Sequence, residues 1–263
     1  MSESEATALR LPRDADGTAR RWLDAGAPAG PAPAVAASVC VLRDGPDGRV
    51  EVLWLTRGRG LSTWPGLLAF PGGVVETVDR SRRPGEPGPP DRLAVLARAA
   101  ARECEEETGV RLRARDLRGF ARWVTPEHEP RRFDTTFVVG VLPAGADPAG
   151  VAPAEGGETH EHGWAAPADL LAEVRSGPRR ALPPTRAVLR DLAAAAAATV
   201  DAVTDSGAES VAGSRADAAA AAVVAGGSLV PVVPRAAWAD APPGPDGLPE
   251  VDLLLPRHAG QVP

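Results

Sequence analysis

RECEEETG, residues 102–109, closes a stretch from Asp91 to Gly109 that reads as one helix, and the fold is organised around it. Asp91 follows Pro90 and offers a side-chain acceptor where a helix begins. Apolar periodicity then runs from Leu93 to Thr108, and Gly109 is the residue type that ends a helix in the left-handed conformation. Placed at 100° intervals, Leu93, Ala97, Ala100 and Cys104 share one side, with Leu96 at its margin, and that side should be buried. Glu103, Glu106 and Glu107, spaced i, i+3 and i+4, share a neighbouring face at the edge of the apolar stripe. Arg98 and Glu105 point away from both.

Like charges at this spacing disfavour an isolated helix by roughly 0.2–0.5 kcal/mol per pair, so three carboxylates on one patch call for a counter-charge. Arg102, four residues before Glu106, is one source. A divalent cation is the other, and gathered hard oxygen donors suit Mg2+ or Mn2+. A Glu-rich face is most often plain solvated surface, so the surrounding sequence has to decide.

Upstream, residues 34–42 (AVAASVCVL) and 50–57 (VEVLWLTR) flank a turn containing Asp47-Gly48 and predict a β-hairpin. Residues 61–76 predict a loop ending in Pro71-Gly72-Gly73, and the Pro-rich stretch 80–90 excludes regular structure. Downstream, strands are expected at 117–126, 131–142 and 158–167, with helices at 169–174, from 183 onward and at 215–225. Residues 1–33 read as a flexible leader with one short helix near Thr18–Asp24, and 226–263 as a Pro-rich tail wrapping the domain. The expected organisation is a catalytic domain over 34–182, a helical extension over 183–225 and the tail. Strands around one long helix, with more helix after them, make an α+β fold, an α/β/α sandwich in which helices flank a mixed sheet.

The net charge of −6 argues against wholesale nucleic-acid binding. Lys is absent, so Arg supplies every side-chain cation, and its planar fork suits phosphate. Cys40 and Cys104 both fall at apolar positions, which fits a reducing compartment rather than a disulfide framework. Residues 1–17 lack an apolar signal core and no run reaches membrane-spanning length, so a cytoplasmic protein without membrane contact is expected.

The motif resembles that of the Nudix hydrolases, G-x5-E-x7-R-E-U-x-E-E-x-G-U with U apolar. Residues 102–110 match its second half at every fixed position, and Phe70-Pro71-Gly72-Gly73 resembles the usual opening. Two departures are evident: Asp79 stands where the motif has Glu, and an insert of about fifteen residues, roughly 80–94, separates the halves. Lengthening a surface loop costs little, so the insert is expected to loop out. Both departures resemble the peroxisomal coenzyme A diphosphatase-like branch, as do residues 55–79, 121–139 and 182–193.

The resemblance implies that Glu103, Glu106 and Glu107 hold the metal with the main-chain carbonyl of Gly72, and that Glu103 also activates water. It implies that Arg102 orients these carboxylates, that Glu76 is an additional acid nearby, and that Asp79 supports the loop. Gly73 would let backbone approach the phosphates. A further acid from a later loop, Glu158 ahead of Glu155 and Glu161, would assist. Arg57, Arg59, Arg122, Arg131 and Arg132 are candidates for phosphate, and Trp64 and Trp123 for base stacking. His160 and His162 alternate along a strand but make a weak zinc signal.

Three functions remain open: a diphosphatase for coenzyme A or its acyl esters, a pyrophosphatase for ADP-ribose, NADH or a nucleotide sugar, and a non-catalytic binding module. Intact box carboxylates favour an enzyme. The partner is a small nucleotide-derived molecule, and a homodimer is compatible with the sequence.

Overall fold

The computed structural model describes residues 7–10, 13–58, 65–83, 86, 88–142, 159–206, 214–238 and 251–255. The leader holds more structure than its composition predicts: strand β1 (Thr7–Arg10), then helix α1 (Arg13–Asp24). The predicted hairpin forms from β2 (Ala34–Asp44) and β3 (Val50–Arg57), antiparallel with Leu42 opposite Val52. The amide of Gly45 donates to Arg49 O at 2.8 Å to close its turn. Every residue from Ala36 to Leu42 is buried, which is why this strand reads as a continuous apolar run rather than an alternating one.

Two short strands, β4 (Leu68–Ala69) and β5 (Gly72–Val74), and a single turn, α2 (Thr77–Arg80), lead into α3 (Arg92–Thr108). Strands β6 (Arg118–Val124), β7 (Phe133–Val141) and β8 (Thr159–Ala165) follow, then helices α4 (Pro167–Ser176), α5 (Pro183–Ser206) and α6 (Arg215–Gly226). The chain closes with β9 (Ser228–Val232), β10 (Arg235–Trp238) and β11 (Val251–Leu255).

The chain divides into two compact units. The larger comprises residues 36–121 and 136–229 and is built on a sheet of order β4-β3-β2-β7-β6-β9, with β5 paired to β2 and β8 to β3. Helix α3 packs on β5 and α2, while α4 and α6 pack on β3 and α5 against both of them. This is the expected sheet with helices against it. Its core includes Val39, Val41, Leu53, Leu96, Val138, Leu189 and Leu192, each at most 1% exposed. Such a side chain contributes about 1.5–3 kcal/mol on burial.

The smaller unit gathers residues 1–35, 122–135 and 230–263, and its sheet has the order β1-β11-β10. Among the described residues of the tail, 228–232, 235–238 and 251–255 are strand, and Leu9 of the leader pairs with Leu253. Strands from opposite ends of the chain, such as those of Leu9 and Leu253, carry no local pairing signal.

Candidate active site

Helix α3 is fixed at both ends, so the register of its side chains is set. The Asp91 side chain accepts from the Ala94 amide at 2.8 Å. At the other end Gly109 turns left-handed (φ 72°) and its amide donates to Glu105 O at 2.8 Å. The buried stripe is wider than the periodicity predicts and is displaced: Val95, Leu96, Ala97, Ala99, Ala100 and Cys104 are buried, whereas Leu93 is 44% exposed. Burial pushes the Cys104 thiol up to about 12, so it is an inert packing group.

The segment before the helix is held against β2. Ser38 Oγ donates to Pro71 O at 3.0 Å, and β5 pairs with β2 with Gly73 opposite Ala37 and Gly72 opposite Ser38. A Cβ on Gly72 would lie 2.4 Å from Ala37 O and 2.6 Å from Ser38 Cα, and one on Gly73 would lie 2.3 Å from Glu103 Oε1. Two glycines are thus what allow this strand to press against β2 and Glu103 together. The Gly72 amide donates to Glu107 Oε2 at 2.9 Å.

Arg102 is the hub. Its Nη2 and Nε donate to the Asp79 carboxylate at 3.0 and 3.3 Å, and Nη2 also to Val74 O at 3.1 Å. Its Nη1 donates to Glu103 Oε1 at 2.9 Å and Glu106 Oε2 at 3.1 Å. Asp79 is 3% exposed and accepts a further bond from the Glu76 amide at 2.9 Å. Desolvation works against the Arg102 charge, but the Asp79 hydrogen bond and the Glu103 charge outweigh it and raise the pKa. The Glu103 carboxyl is held above the usual range, first by burial and then by the charges of Glu106 and Glu76, with Arg102 opposing.

The expected set of three converging metal ligands is not assembled: among the described residues no three acids, histidines or cysteines gather closely enough to hold an ion. Glu103 and Glu106 turn onto Arg102, and Glu107 onto the Gly72 amide. The like charges have found the nearest protein donors. The donor chemistry still suits a hard cation, because three carboxylates share one guanidinium with Asp79 or lean on an amide.

A family model described as the NUDIX domain matches residues 33–184, more than half of the chain. The chain belongs to the NUDIX family. A NUDIX hydrolase from Alicyclobacillus acidocaldarius, known from its crystal structure, is 29% identical over 62% of this chain and 92% of its own, with a TM-score of 0.52. A MutT NUDIX hydrolase from Burkholderia pseudomallei is 22% identical over 61% of this chain and 98% of its own, with a TM-score of 0.42. No curated protein matches in sequence. The chain is an enzyme, a hydrolase of the NUDIX family.

In this NUDIX hydrolase the remaining candidates scatter. Glu158 and Glu155, with Arg59 and Trp64, lie outside the described residues. Glu161 is spent on Arg179 at 3.7 Å. Arg57 ends β3, where its backbone joins Gly66 and Leu67. Trp123, Arg122, Arg131 and Arg132 belong to the smaller unit. Trp123 is 6% exposed, so it packs a core and presents no open stacking face. Arg132 donates to Pro31 O and Thr125 O at 2.7 and 3.0 Å, and Arg122 grips Asp134 with two bonds of 2.7 Å. Both act as struts, because folding brought acceptors that the sequence places far away or on another strand. Arg131 lies over the Phe133 ring at 5.9 Å. His162 is on β8 with its Nδ1 buried, and no zinc set surrounds it among the described residues.

Sequence reasoning missed Arg98 and Glu86. Arg98, expected to point away from both the apolar stripe and the glutamates, is 6% exposed and ion-paired with Glu86 of the Pro-rich stretch. Ser81 and Glu86, in the Pro-rich stretch before α3, are thus tied to the helix. No spacing rule links a charge in a Pro-rich segment to one on a helix.

Proposed function

We propose that this hydrolase cleaves the pyrophosphate bond of a nucleoside diphosphate joined to another group, with Mg2+ or Mn2+ held by Glu103, Glu106, Glu107 and the Gly72 carbonyl. The observation that carries this reading is the crowding of Glu103 and Glu106 on one guanidinium beside Glu107 and the two glycines. A divalent cation there would neutralise the phosphates, orient them and acidify water. Glu103 is the carboxylate placed to receive a proton, held by Arg102 Nη1 at 2.9 Å beside the two glycines. Water attacks phosphorus, Glu103 takes the proton, and the bridging oxygen leaves with the other phosphate, giving two phosphate monoesters. Arg102, anchored by Asp79, which the Glu76 amide holds in turn, keeps Glu103 and Glu106 oriented. Gly73 brings backbone to the phosphates, Glu158 assists as a further acid, and Arg57 is the candidate phosphate contact.

For the substrate we take coenzyme A or an acyl ester, on the insert within the box and the similar flanking segments. The test is a panel of coenzyme A, ADP-ribose, NADH, nucleotide sugars and nucleoside triphosphates with Mg2+ or Mn2+, products identified by mass. Release of 3′,5′-ADP and a phosphopantetheine supports this choice. ADP-ribose turned over far faster would replace it, and no turnover at all would remove the catalytic assignment.

A further inference from the structure

We propose that Arg98 and Glu86 form a clamp that positions the carboxylate site, making the Pro-rich stretch before α3 a working part of the hydrolase. The inference rests on the metal reading above. A buried guanidinium needs acceptors for its donors. Arg98 finds them all on the chain just before α3: Nη1 donates to Ser81 O at 2.8 Å and reaches Asp79 O at 3.5 Å, while Nη2 pairs with Glu86 Oε1. Glu86 is itself held by Arg82 and Arg83. Its other carboxylate oxygen accepts the Arg83 amide at 2.9 Å, and its carbonyl accepts Arg82 Nη2 and Nε at 2.6 and 3.0 Å.

Arg102 stands one turn further along α3 and reaches the same segment through the Asp79 side chain. The helix therefore grips α2 and its exit twice: Arg98 holds the backbone at Asp79 and Ser81, and Arg102 holds the Asp79 carboxylate. The same Arg102 group touches Glu103 and Glu106. With the backbone grip released, Asp79 loses its fixed position, and so does the guanidinium that sets both glutamates. Arg98 and Glu86 touch no substrate; they position through Asp79 and Arg102.

The test uses the full chain with Mn2+ alone as the probe, its binding followed by electron paramagnetic resonance, and thermal melting recorded in parallel. Glu86→Ala and Arg98→Met should each weaken Mn2+ binding about tenfold or more, the range for residues that orient metal ligands. The double variant should melt higher than the worse single variant, because no charge is left buried alone, yet bind Mn2+ no better than Arg98→Met. Affinity unchanged in Glu86→Ala, or restored together with melting temperature in the double variant, would show a structural staple only and overturn the inference. A wild-type chain that binds no Mn2+ would instead overturn the metal reading, and the clamp's purpose with it.

Discussion

Asp79→Asn is the substitution in which the anchoring of Arg102 can be weighed. Asp79 is 3% exposed and accepts two bonds from Arg102 and one from the Glu76 amide. Asn keeps the shape, but one of its two terminal atoms becomes an NH2 facing donors. Removing the charge leaves the Arg102 guanidinium, 19% exposed, without its buried counter-ion. Breaking a buried pair from one side costs about 3–5 kcal/mol. Glu103 and Glu106 still share Arg102, so the lower end, about 3 kcal/mol, is expected. At roughly 2–4 °C per kcal/mol for a unit of this size, melting should fall by roughly 6–12 °C. Thermal unfolding followed by circular dichroism at neutral pH reads it, with Glu105→Gln as the surface comparison. Glu105 is 49% exposed against Arg111 at 84%, and its loss should change stability by less than about 1 kcal/mol. Equal effects of the two substitutions would refute the claim that Arg102 is anchored by a buried acid.

Other outcomes follow from the same geometry. Glu106→Gln should lower kcat about a hundredfold or more with Mg2+ while the melting temperature moves little, since its side chain is 58% exposed; chelating the metal from wild type should match it. Gly73→Ala places a methyl carbon against the Glu103 carboxylate, which must swing aside, so hydrolysis should fall while the fold persists, and full activity would contradict the role given to Glu103 in this position. Burial lowers the His128 pKa, so the unfolded chain binds that proton more readily and the stability due to the neutral ring, present above the ordinary histidine value, drains away as pH falls through the folded one. His128→Phe should flatten the stability curve between about pH 7 and 5, measured by denaturant unfolding.

The hairpin was legible because its signals are local: β2 is an apolar run over its whole buried length, and a Gly-containing turn follows it. Helix α3 was legible for the same reason, with Asp91 and Gly109 marking its ends. The pairing of β1 with β11 was not, since strands of four and five residues far apart in sequence are ordinary loop composition until they meet. Arg132 and Trp123 look like a phosphate fork and a stacking ring in sequence, but the acceptors and burial that occupy them arrive from elsewhere in the chain.

The sequence by itself determined that Glu103, Glu106 and Glu107 share a face, because helical spacing is a property of the backbone and needs no partner. It also determined that their repulsion required a counter-charge nearby. Only the tertiary structure decided how that charge is supplied and held. Asp79 and Glu86 must be carried by the loop into contact with Arg102 and Arg98, and a buried ion pair forms only where folding excludes water from both partners at once.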